Sequence, residues 1–450
     1  MQILNQFSTI AEEYISNAKE SPVFPEPGAL KNLQQFREPL QEDPLSSQEV
    51  LKFLDEKGSP GTVKSTGGRY YGFVNGGSIE SAMMAKLLAT VWDQNAGLYL
   101  MSPTASILEE VSSNWLIDLL GLPKQTTVGF VTGATMANFT AINAARHSLL
   151  KKEGWDAEAQ GLFHAPEIQV ITGEEVHVSV LKALNLAGFG RERIIRVPAD
   201  AQGRIIPEQI PETKGPTIIC LQVGNVNSGA CDPVEEICRT KKGNAWVHID
   251  GAFGLWAAAS PETKHLVKGL ELADSWGTDA HKWLNVPYDS GLVFVKDPSA
   301  LFGAVAASAA YLPEMSRRDP FQYVPEMSRA ARGIPVWAAL KSLGKKGLAK
   351  MIESSCRSAR QFAEGLENAG YNVLNEVVLN QVLVSFGDSA TTLEVIKKIQ
   401  EDGVCWCGGT VWQGITAMRI SVSSAATDEQ DVNLALASML KAADEVLSRN

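Results

Sequence analysis

One segment of the chain carries a lysine in an unusual setting: Asp274-Ser-Trp-Gly-Thr-Asp-Ala-His-Lys-Trp-Leu-Asn-Val-Pro-Tyr-Asp-Ser-Gly291. Lys282 stands between His281 and Trp283 in a glycine-bearing loop between apolar strands, a poor position for a charge that meets only solvent. Burial lowers the pKa of a lysine amine and makes it a nucleophile that can form an imine with an aldehyde. Lysines also extend along strand ends to place the amine in water. The segment therefore makes Lys282 a Schiff-base candidate that needs support from other motifs.

A carboxylate ends a buried apolar strand upstream of this lysine, in His248-Ile-Asp-Gly-Ala-Phe-Gly254. Ligands of open α/β sheets bind at the carboxyl ends of the strands, and a buried carboxylate there needs a cation or several hydrogen-bond donors. A pyridinium nitrogen would be such a cation for Asp250. The carboxylate would in turn keep the pyridine ring protonated, which makes the ring an electron sink. The alternative is that Asp250 only caps the following turn.

Small residues open a helix farther upstream, in Gly129-Phe-Val-Thr-Gly-Ala-Thr-Met-Ala-Asn138. Backbone N–H groups at such a start can approach an anion, and the helix dipole favours a phosphate there. The segment matches neither a GxGxxG nor a Walker A motif, and Thr135 could equally be a simple N-cap. His177 follows it and, taken alone, is typical of a structural histidine.

The order of helical and extended patterns predicts an α/β fold. From about residue 80 to 310, helical stretches alternate with short β-branched runs, which is typical of a mostly parallel sheet with helices on both faces. The predicted strands of this part are 169–172, 217–223, 246–249 and 291–295. The predicted helices are 105–120 and 135–151.

A smaller α+β domain is predicted after the proline-rich stretch 311–325. Its predicted helices are 336–369, 391–402 and 427–447. Its predicted strands are 382–385 and 418–422. We divide the chain into an N-terminal arm and linker (1–75), a large cofactor-binding domain (76–325) and a C-terminal small domain (326–450).

Composition excludes several classes of protein. A chain of 450 residues at 45% hydrophobic and 20% charged is a globular chain of two or three domains. Forty basic against 51 acidic residues, a net charge of −11, argue against nucleic acid or an anionic membrane as the partner. Six cysteines without a CxxC pair or a Cys/His ligand ladder predict a reduced compartment and no metal site. Without a signal-peptide pattern or an apolar run near the ~20 residues of a membrane span, we expect a cytoplasmic protein.

Together the motifs resemble the pyridoxal-phosphate-dependent group II amino-acid decarboxylases, such as the aromatic-L-amino-acid and glutamate decarboxylases. The likeness rests on Gly-Ala-Thr at 133–135, His177, Gly224–Pro233, His-x-Asp-x-Ala at 248–252 and His281-Lys282. The lysine segment resembles the family signature from Ser275 to Lys296, except that Ser290 stands where the family usually has Cys or Ala. Further likeness extends over roughly residues 65–440, at Arg69–Phe73, Ser102-Pro103 with Glu109, Arg332–Trp337 and Arg419–Ser421.

The resemblance implies a fold and a partner. These enzymes have the fold-type-I, aspartate-aminotransferase-like architecture, a mostly parallel central sheet with helices on both faces and a smaller α+β C-terminal domain. They work as homodimers that build each active site from both chains, with the N-terminal arm helping to join them. We therefore expect a homodimer whose small-molecule substrate is an amino acid.

The resemblance also implies the role of each site residue. Lys282 would form the internal aldimine with pyridoxal 5'-phosphate, and Asp250 would be the partner of the pyridine nitrogen. The remaining cofactor-binding residues are Ala134, Thr135 and His281 at the phosphate, Ala252 under the ring, His177 over its other face, and Asn225 in a turn near the cofactor. His177 would also assist proton transfer, so Lys282, His177 and Asp250 are the catalytic candidates.

The implied reaction is decarboxylation of an L-amino acid to its amine. Two other reactions on the same scaffold stay open, namely oxidative decarboxylation to an aldehyde and carbon–carbon cleavage of a phosphorylated amine. A non-catalytic dimeric scaffold is disfavoured, because both Lys282 and Asp250 are present. In related decarboxylases a loop tyrosine protonates the substrate carbon, and Tyr323 and Tyr311 are the candidates here.

The substrate side chain is not determined by the sequence. Tyr71, Phe73 and Trp92 lie in segments that line the pocket in related enzymes and would suit an aromatic substrate, although core packing explains them equally well. Arg317 and Arg318 could meet an acidic substrate or stand on a solvated loop.

Overall fold

The computed structural model describes residues 2–241, 243–307 and 317–449. The chain forms two compact units. The larger unit consists of Ser78–Arg360 and Asn375–Gln381. The smaller unit consists of the residues up to Gly77, of Gln361–Leu374, and of Val382 onward.

Helices account for much of both units. In chain order they are α1 (Gln2–Asn17), α2 (Pro27–Asn32), α3 (Ser47–Gly58), α4 (Glu80–Trp92), α5 (Pro103–Leu119), α6 (Ala134–Lys152), α7 (Ala157–Gln160), α8 (Val178–Leu186), α9 (Val234–Thr240), α10 (Pro298–Val305), α11 (Gly333–Asn368), α12 (Ser389–Asp402) and α13 (Glu429–Leu447). Short 3-10 turns connect several of them.

A seven-stranded sheet belongs to the larger unit. Its strands are β1 (Thr127–Val131), β2 (Gln169–Gly173), β3 (Ile194–Val197), β4 (Thr217–Gln222), β5 (Ala245–Asp250), β6 (Ser275–Asp279) and β7 (Gly291–Val295). The spatial order is β1-β7-β6-β5-β4-β2-β3. Strand β7 pairs antiparallel with both β1 and β6, and the pairs from β6 to β3 are parallel. This confirms the predicted α/β class with a mostly parallel sheet.

Helix α6 lies directly against this sheet. Most of its residues are buried. Its five alanines permit this, because small side chains allow a close approach. At Gly277 in β6 the approach is so close that a Cβ would lie 2.6 Å from Asn138 Oδ1 of α6. The helix start is therefore held at a fixed distance from the strand ends.

Strand β6 lies within the segment that the sequence analysis treated as a loop. All five residues of Ser275–Asp279 are buried, although three of their side chains are polar. Those side chains have partners: the Trp276 indole donates to the carbonyl oxygen of Leu270 at 3.1 Å, and the Thr278 hydroxyl donates to that of Ala252 at 3.2 Å. The loop begins only after Asp279.

The smaller unit contains a four-stranded sheet with the order β10-β11-β9-β8. The strands are β8 (Asn372–Val373), β9 (Gln381–Ser385), β10 (Gly408–Trp412) and β11 (Ile415–Ser421). Helices α12 and α13 accompany them, so the predicted small α+β domain is confirmed. No helix in the described ranges combines the length and apolarity needed to cross a membrane.

The units divide the chain differently from the segments 1–75, 76–325 and 326–450. Residues 326–360 belong to the larger unit. One reason is Arg329, whose fully buried guanidinium lies 2.8 Å from the carboxylate of Glu109 in α5. Residues 1–77 form part of the smaller unit rather than a separate arm.

Candidate active site

The carboxyl ends of β5 and β6 bring the two principal site residues together. Asp250 ends β5 and pairs with Gln222 of β4 and Gly277 of β6. Lys282 follows the end of β6 by three residues, in the connection to β7. Its amine lies close enough to act electrostatically on the carboxylate of Asp250.

The carboxylate of Asp250 is buried and only half satisfied. The residue is 3% exposed, and Oδ1 accepts the backbone N–H of Ala252 at 3.2 Å, as the turn-cap interpretation predicts. Oδ2 has no hydrogen-bond partner in the described part of the chain. Burial raises the pKa of Asp250, while His177 and Lys282 act in the opposite direction. Because a buried oxygen without a donor is costly, the position suits a ligand that brings a donor or a cation.

The amine of Lys282 forms an ion pair inside the site. Its side chain is 18% exposed, and Nζ lies 3.1 Å from Oδ2 of Asp279. The other oxygen of Asp279 accepts the backbone N–H of Ala134 at 2.5 Å. No motif of the sequence points to Asp279. Its position three residues before Lys282, on the same turn, was a signal that could have found it.

His281 is held between Asp279 and the start of β7. Its Nδ1 accepts the backbone N–H of Ser290 at 3.2 Å, so the neutral ring carries its proton on Nε2, which lies 3.4 Å from Asp279 Oδ1. The ring stacks on Tyr288 at 4.3 Å between centroids. Burial lowers the pKa of His281 more than Asp279 raises it, so the imidazole is neutral at neutral pH.

The start of α6 meets this loop through glycines. A Cβ on Gly133 would lie 3.1 Å from Cε1 of His281, and a Cβ on Gly291 would lie 2.4 Å from the Cα of Gly133. Gly133 is the N-cap residue, and Ala134 and Thr135 form the first turn of the helix. The alternative of Thr135 as the N-cap is therefore wrong, because that residue already lies inside the helix.

His177 caps the neighbouring helix α8 and lies near Asp250. Its Nδ1 accepts the backbone N–H of Ser179 at 3.2 Å, which places the proton of the neutral ring on Nε2. Its own backbone N–H donates to Oε1 of Gln222 at 3.1 Å. The electrostatic effect of His177 on Asp250 supports its place in the candidate site. Gln222, which the sequence analysis did not single out, fixes the backbone of His177.

Asn225 and Ala252 have mainly structural contacts. Asn225 is 2% exposed, and its side-chain oxygen accepts the backbone N–H groups of Asn227 and Ser228 at 2.8 and 3.2 Å. That oxygen shapes its own turn. Ala252 is half-buried, and its carbonyl oxygen accepts the N–H of Asp279 at 2.9 Å, so it ties the loop after β5 to the end of β6.

The loop residues differ in their placement. The ring of Tyr323 packs on Phe302 at 5.1 Å between centroids and under the guanidinium of Arg318 at 3.8 Å. Arg318 also donates to the carbonyl oxygen of Val128 at 2.6 Å and so has a structural role. Tyr311, the other candidate proton donor, lies outside the described residues.

The residues considered for substrate choice lie in different surroundings. Tyr71 is fully buried and packs edge-on against Phe362, which favours the core-packing interpretation. Phe73 is 64% exposed and stacks on Trp406. The guanidinium of Arg317 stands over the ring of Tyr99 and donates to its hydroxyl at 2.8 Å.

The arrangement fits pyridoxal phosphate. A buried carboxylate oxygen without a donor suits a protonated ring nitrogen, a lysine amine suits the aldehyde, and a helix start suits the phosphate. The carboxylate of Asp279 occupies the N–H of Ala134, so a phosphate at the helix start would use the N–H groups that follow it.

Comparisons with known proteins agree with this assignment. L-tyrosine/L-DOPA decarboxylase 2 of Lophophora williamsii is 29% identical, over 78% of this chain and 70% of its own. Phenylacetaldehyde synthase of Petunia hybrida is 25% identical, over 94% and 90%. The crystal structure of Oryza sativa TDC with PLP and tryptamine superposes with a TM-score of 0.89 at 22% identity, over 98% of this chain and 97% of that one, which shows the fold.

A family model decides the assignment. The model described as the pyridoxal-dependent decarboxylase conserved domain matches residues 27–387, well over half of the chain. The chain therefore belongs to the pyridoxal-dependent decarboxylases, which confirms the family, the cofactor and the carboxy-lyase class that the sequence motifs predict.

Proposed function

We propose that this enzyme decarboxylates an L-amino acid to its amine, with pyridoxal phosphate held by Lys282. The observation that carries the proposal is the buried Oδ2 of Asp250, which has no hydrogen-bond partner among the described residues and lies within electrostatic reach of Lys282. A protonated ring nitrogen would satisfy this oxygen.

The residues around the site would share the work of holding the cofactor. Lys282 would bind its aldehyde carbon, and Asp250 its ring nitrogen. The phosphate would lie at Thr135 and the start of α6, beside the neutral His281. Ala252 and His177 would bound the two faces of the ring.

The chemistry divides between cofactor and protein. When bound, pyridoxal phosphate supplies an electron sink for the pair that carbon dioxide leaves behind. Asp250 would keep the ring nitrogen protonated, because a cation in contact favours its ionised form. His177, with its proton on Nε2, would move a proton at the reacting carbon. The walls of the site would exclude water from that carbon.

A second candidate is oxidative decarboxylation to an aldehyde. A relative named phenylacetaldehyde synthase matches 94% of this chain. In addition, the ring of Tyr323 packs between Phe302 and Arg318. This packing disfavours Tyr323 as the proton donor that amine formation needs, and Tyr311 is then the other candidate.

The products of an amino-acid panel test the proposal. We expect one amine for each carbon dioxide with an aromatic or an acidic amino acid, and neither hydrogen peroxide nor ammonia. Release of peroxide and ammonia together with carbon dioxide would contradict the proposal and favour the aldehyde-forming reaction.

Two substitutions test the roles of the residues. Borohydride reduction should attach the cofactor to Lys282, and Lys282→Ala should lose both the label and turnover. Asp250→Asn should retain the label but lose roughly a hundredfold or more in kcat, because the ring nitrogen loses the charge that stabilises its protonated form. Asp274→Asn, at the other end of β6, is the matched control. An Asp250→Asn enzyme with full activity would refute the electron-sink role.

We further propose a homodimer located in the cytoplasm. The dimer is supported by apolar side chains that the N-terminal helices leave exposed. Helices α1, α2 and α3 contain no buried residue, and their large apolar residues Phe7 and Leu30 are each 37% exposed. The cysteine pattern supports a reduced compartment.

A further inference from the structure

The last residue of β4 contacts the start of helix α8. Gln222 pairs with Asp250 across β4 and β5, and it is buried, with 9% of its surface exposed. Its Oε1 accepts the backbone N–H of His177 at 3.1 Å. Gln222 therefore links the strand end beside Asp250 to the residue that carries the candidate imidazole.

This hydrogen bond completes the cap of α8. The N–H of an N-cap residue has no acceptor within its own helix, and in a capping box a glutamate or glutamine three residues later accepts it. His177 is the N-cap residue of α8, and the residue three positions later is Val180, which has no side-chain acceptor. Gln222 supplies the missing oxygen from strand β4.

The imidazole of His177 is attached to α8 by a second contact. Its Nδ1 accepts the backbone N–H of Ser179 at 3.2 Å and lies 2.8 Å from the hydroxyl oxygen of the same residue. These contacts orient the ring relative to the first turn of the helix but not relative to the sheet. The bond from His177 to Gln222 connects that turn to the sheet, so it contributes directly to where Nε2 lies relative to Asp250.

The backbone of Gln222 is itself held at both of its polar groups. Its N–H donates to Oδ2 of Asp232 at 2.6 Å, and its carbonyl oxygen accepts the N–H of Asp232 at 2.9 Å. The next residue, Val223, donates its N–H to the carbonyl oxygen of Asp250 at 2.8 Å. Because the backbone is held in this way, the side chain of Gln222 can transmit the position of the strand end to His177.

We propose that Gln222 is a positioning residue that caps α8 from strand β4 and so holds the imidazole of His177 in place beside Asp250. The inference rests on the proposed function, in which His177 moves a proton at the reacting carbon. Gln222 acts through His177 and not on the reacting atoms. Because a displacement of about 1 Å at a catalytic group can lower a rate by roughly a hundredfold, loss of this one hydrogen bond should be visible in turnover.

Two substitutions separate the hydrogen bond from the size of the side chain. Gln222→Met keeps a side chain of similar length but replaces the amide with a thioether, which is a weak acceptor. Gln222→Glu keeps an oxygen that can accept the N–H of His177. The melting temperatures of both variants show that each is folded.

Gln160→Met is the matched control. Oε1 of Gln160 accepts the backbone N–H of Asp156 at 3.0 Å, and Asp156 is the N-cap residue of α7. The substitution therefore removes the same kind of hydrogen bond at another helix start. Because α7 follows the carboxyl end of α6, whereas the candidate site lies at the start of α6, the control should leave turnover unchanged.

The first measurement uses cofactor-free enzyme and follows hydrogen exchange of the His177 N–H by NMR. The chain has six histidines, so isotope-labelled histidine gives few signals, and His177→Ala identifies the relevant one by its loss. We expect exchange to be about tenfold faster in Gln222→Met, because the N–H loses its acceptor. Gln222→Glu and Gln160→Met should exchange at close to the wild-type rate.

The second measurement tests whether Gln222 acts through His177. We expect Gln222→Met to lower kcat about tenfold and to leave KM within about twofold, because a misplaced imidazole affects proton transfer and not substrate binding. Gln222→Glu should recover most of kcat. In a His177→Ala background, Gln222→Met should cause no further loss, because the group that it positions is gone.

Two results would overturn the inference. One is a His177 N–H that exchanges at the wild-type rate in Gln222→Met. The other is an equal loss of kcat from Gln222→Met in the wild-type and the His177→Ala backgrounds, which would give Gln222 an effect independent of His177. If His177→Ala keeps the wild-type kcat, the proposed proton-transfer role of His177 fails and the positioning role falls with it, while the exchange rates still show whether the cap exists.

Discussion

Burial disfavours charge on two groups of the candidate site, Asp250 and His281. Asp250 uses one oxygen on Ala252 and leaves the other without a donor within the described chain, so burial dominates and its pKa is raised. His281 uses Nδ1 on the backbone of Ser290, and burial lowers its pKa. The cofactor-free site therefore disfavours charge at both positions, and a cationic ring nitrogen would reverse this at Asp250.

At the scale of single residues, Tyr323→Phe tests the loop tyrosine. We expect it to keep the ratio of amine to aldehyde product, because the ring contacts with Phe302 and Arg318 do not use the hydroxyl. Carbon dioxide and peroxide measured during turnover give this ratio. Tyr311→Phe is the comparison variant. A rise in peroxide with Tyr323→Phe alone would identify Tyr323 as the proton donor.

The sequence indicated which residue types the site needs, but it did not give their contacts. Lys282 and Asp250 could be predicted because each has a distinctive neighbourhood along the chain. The bond from Ala134 to Asp279 could not, because it joins residues far apart in sequence and depends on how closely Gly291 approaches Gly133. The oxygen of Asn225 likewise turned out to serve its own turn, a choice that no residue pattern reveals.

At the scale of elements, His248 joins two strands to α6. The indole of Trp246 donates to the hydroxyl of Ser275 at 2.8 Å, which in turn lies 2.9 Å from Nδ1 of His248. Nε2 of His248 donates to Oδ1 of Asn138 in α6 at 3.0 Å. Although His248 shares a motif with Asp250, it points to the helix and takes no part in the site.

This buried histidine predicts sensitivity to acid. Burial lowers the pKa of His248 to about 3, below the ordinary value near 6.5 of an unfolded chain. Its contribution to stability is complete above about pH 6.5 and is lost as the pH falls toward 3, by about 1.4 kcal/mol per unit. His248→Gln should therefore show a smaller drop in melting temperature between about pH 7 and about pH 5.

The control for this measurement is His265→Gln, at an exposed histidine of the same unit. It should retain the acid sensitivity of the wild type. Equal pH dependence in the wild type and in His248→Gln would show that other groups cause the acid response.

The elements also show which patterns are informative. The predicted strand at 291–295 coincides with β7, and the predicted helix at 135–151 with α6 to within one residue at each end, because apolar runs and helical periodicity are strong signals. Strand β6 was missed because Ser-Trp-Gly-Thr-Asp lacks such a run, and its burial depends on side-chain hydrogen bonds to neighbouring loops.

At the scale of the whole molecule, the N-terminal helices predict association. Their apolar residues are exposed in the single chain, and a second copy would bury them. We expect the wild type to sediment as a dimer and the double variant Phe7→Asp, Leu30→Asp to sediment as a monomer at micromolar concentration.

Leu393→Asp is the control, since Leu393 is 54% exposed and lies in α12, outside these helices. It should leave the sedimentation coefficient unchanged. A double variant that sediments like the wild type would place the dimer contact elsewhere, and a monomeric wild type would refute the homodimer.

The division into units could be predicted only in part. Composition and periodicity indicated a large α/β part and a small α+β part, and both exist. The boundary at 325 was placed at prolines, whereas the larger unit continues to Arg360. Long-range contacts such as the buried pair of Arg329 and Glu109 decide this, and they leave no local mark in the sequence.

The antiparallel pairing of β6 with β7 has a consequence for how this chain can change over time. Because Asp279 and Gly291 face each other across the pair, the connection 280–290 is tied at both ends. If a change of length there shifted the pairing of β6 with β7 by one residue, alternate side chains of the strand would turn to the opposite face. Natural variants of this largely buried stretch should therefore differ by exchange of amino acids and keep its length, while insertions and deletions accumulate in exposed loops.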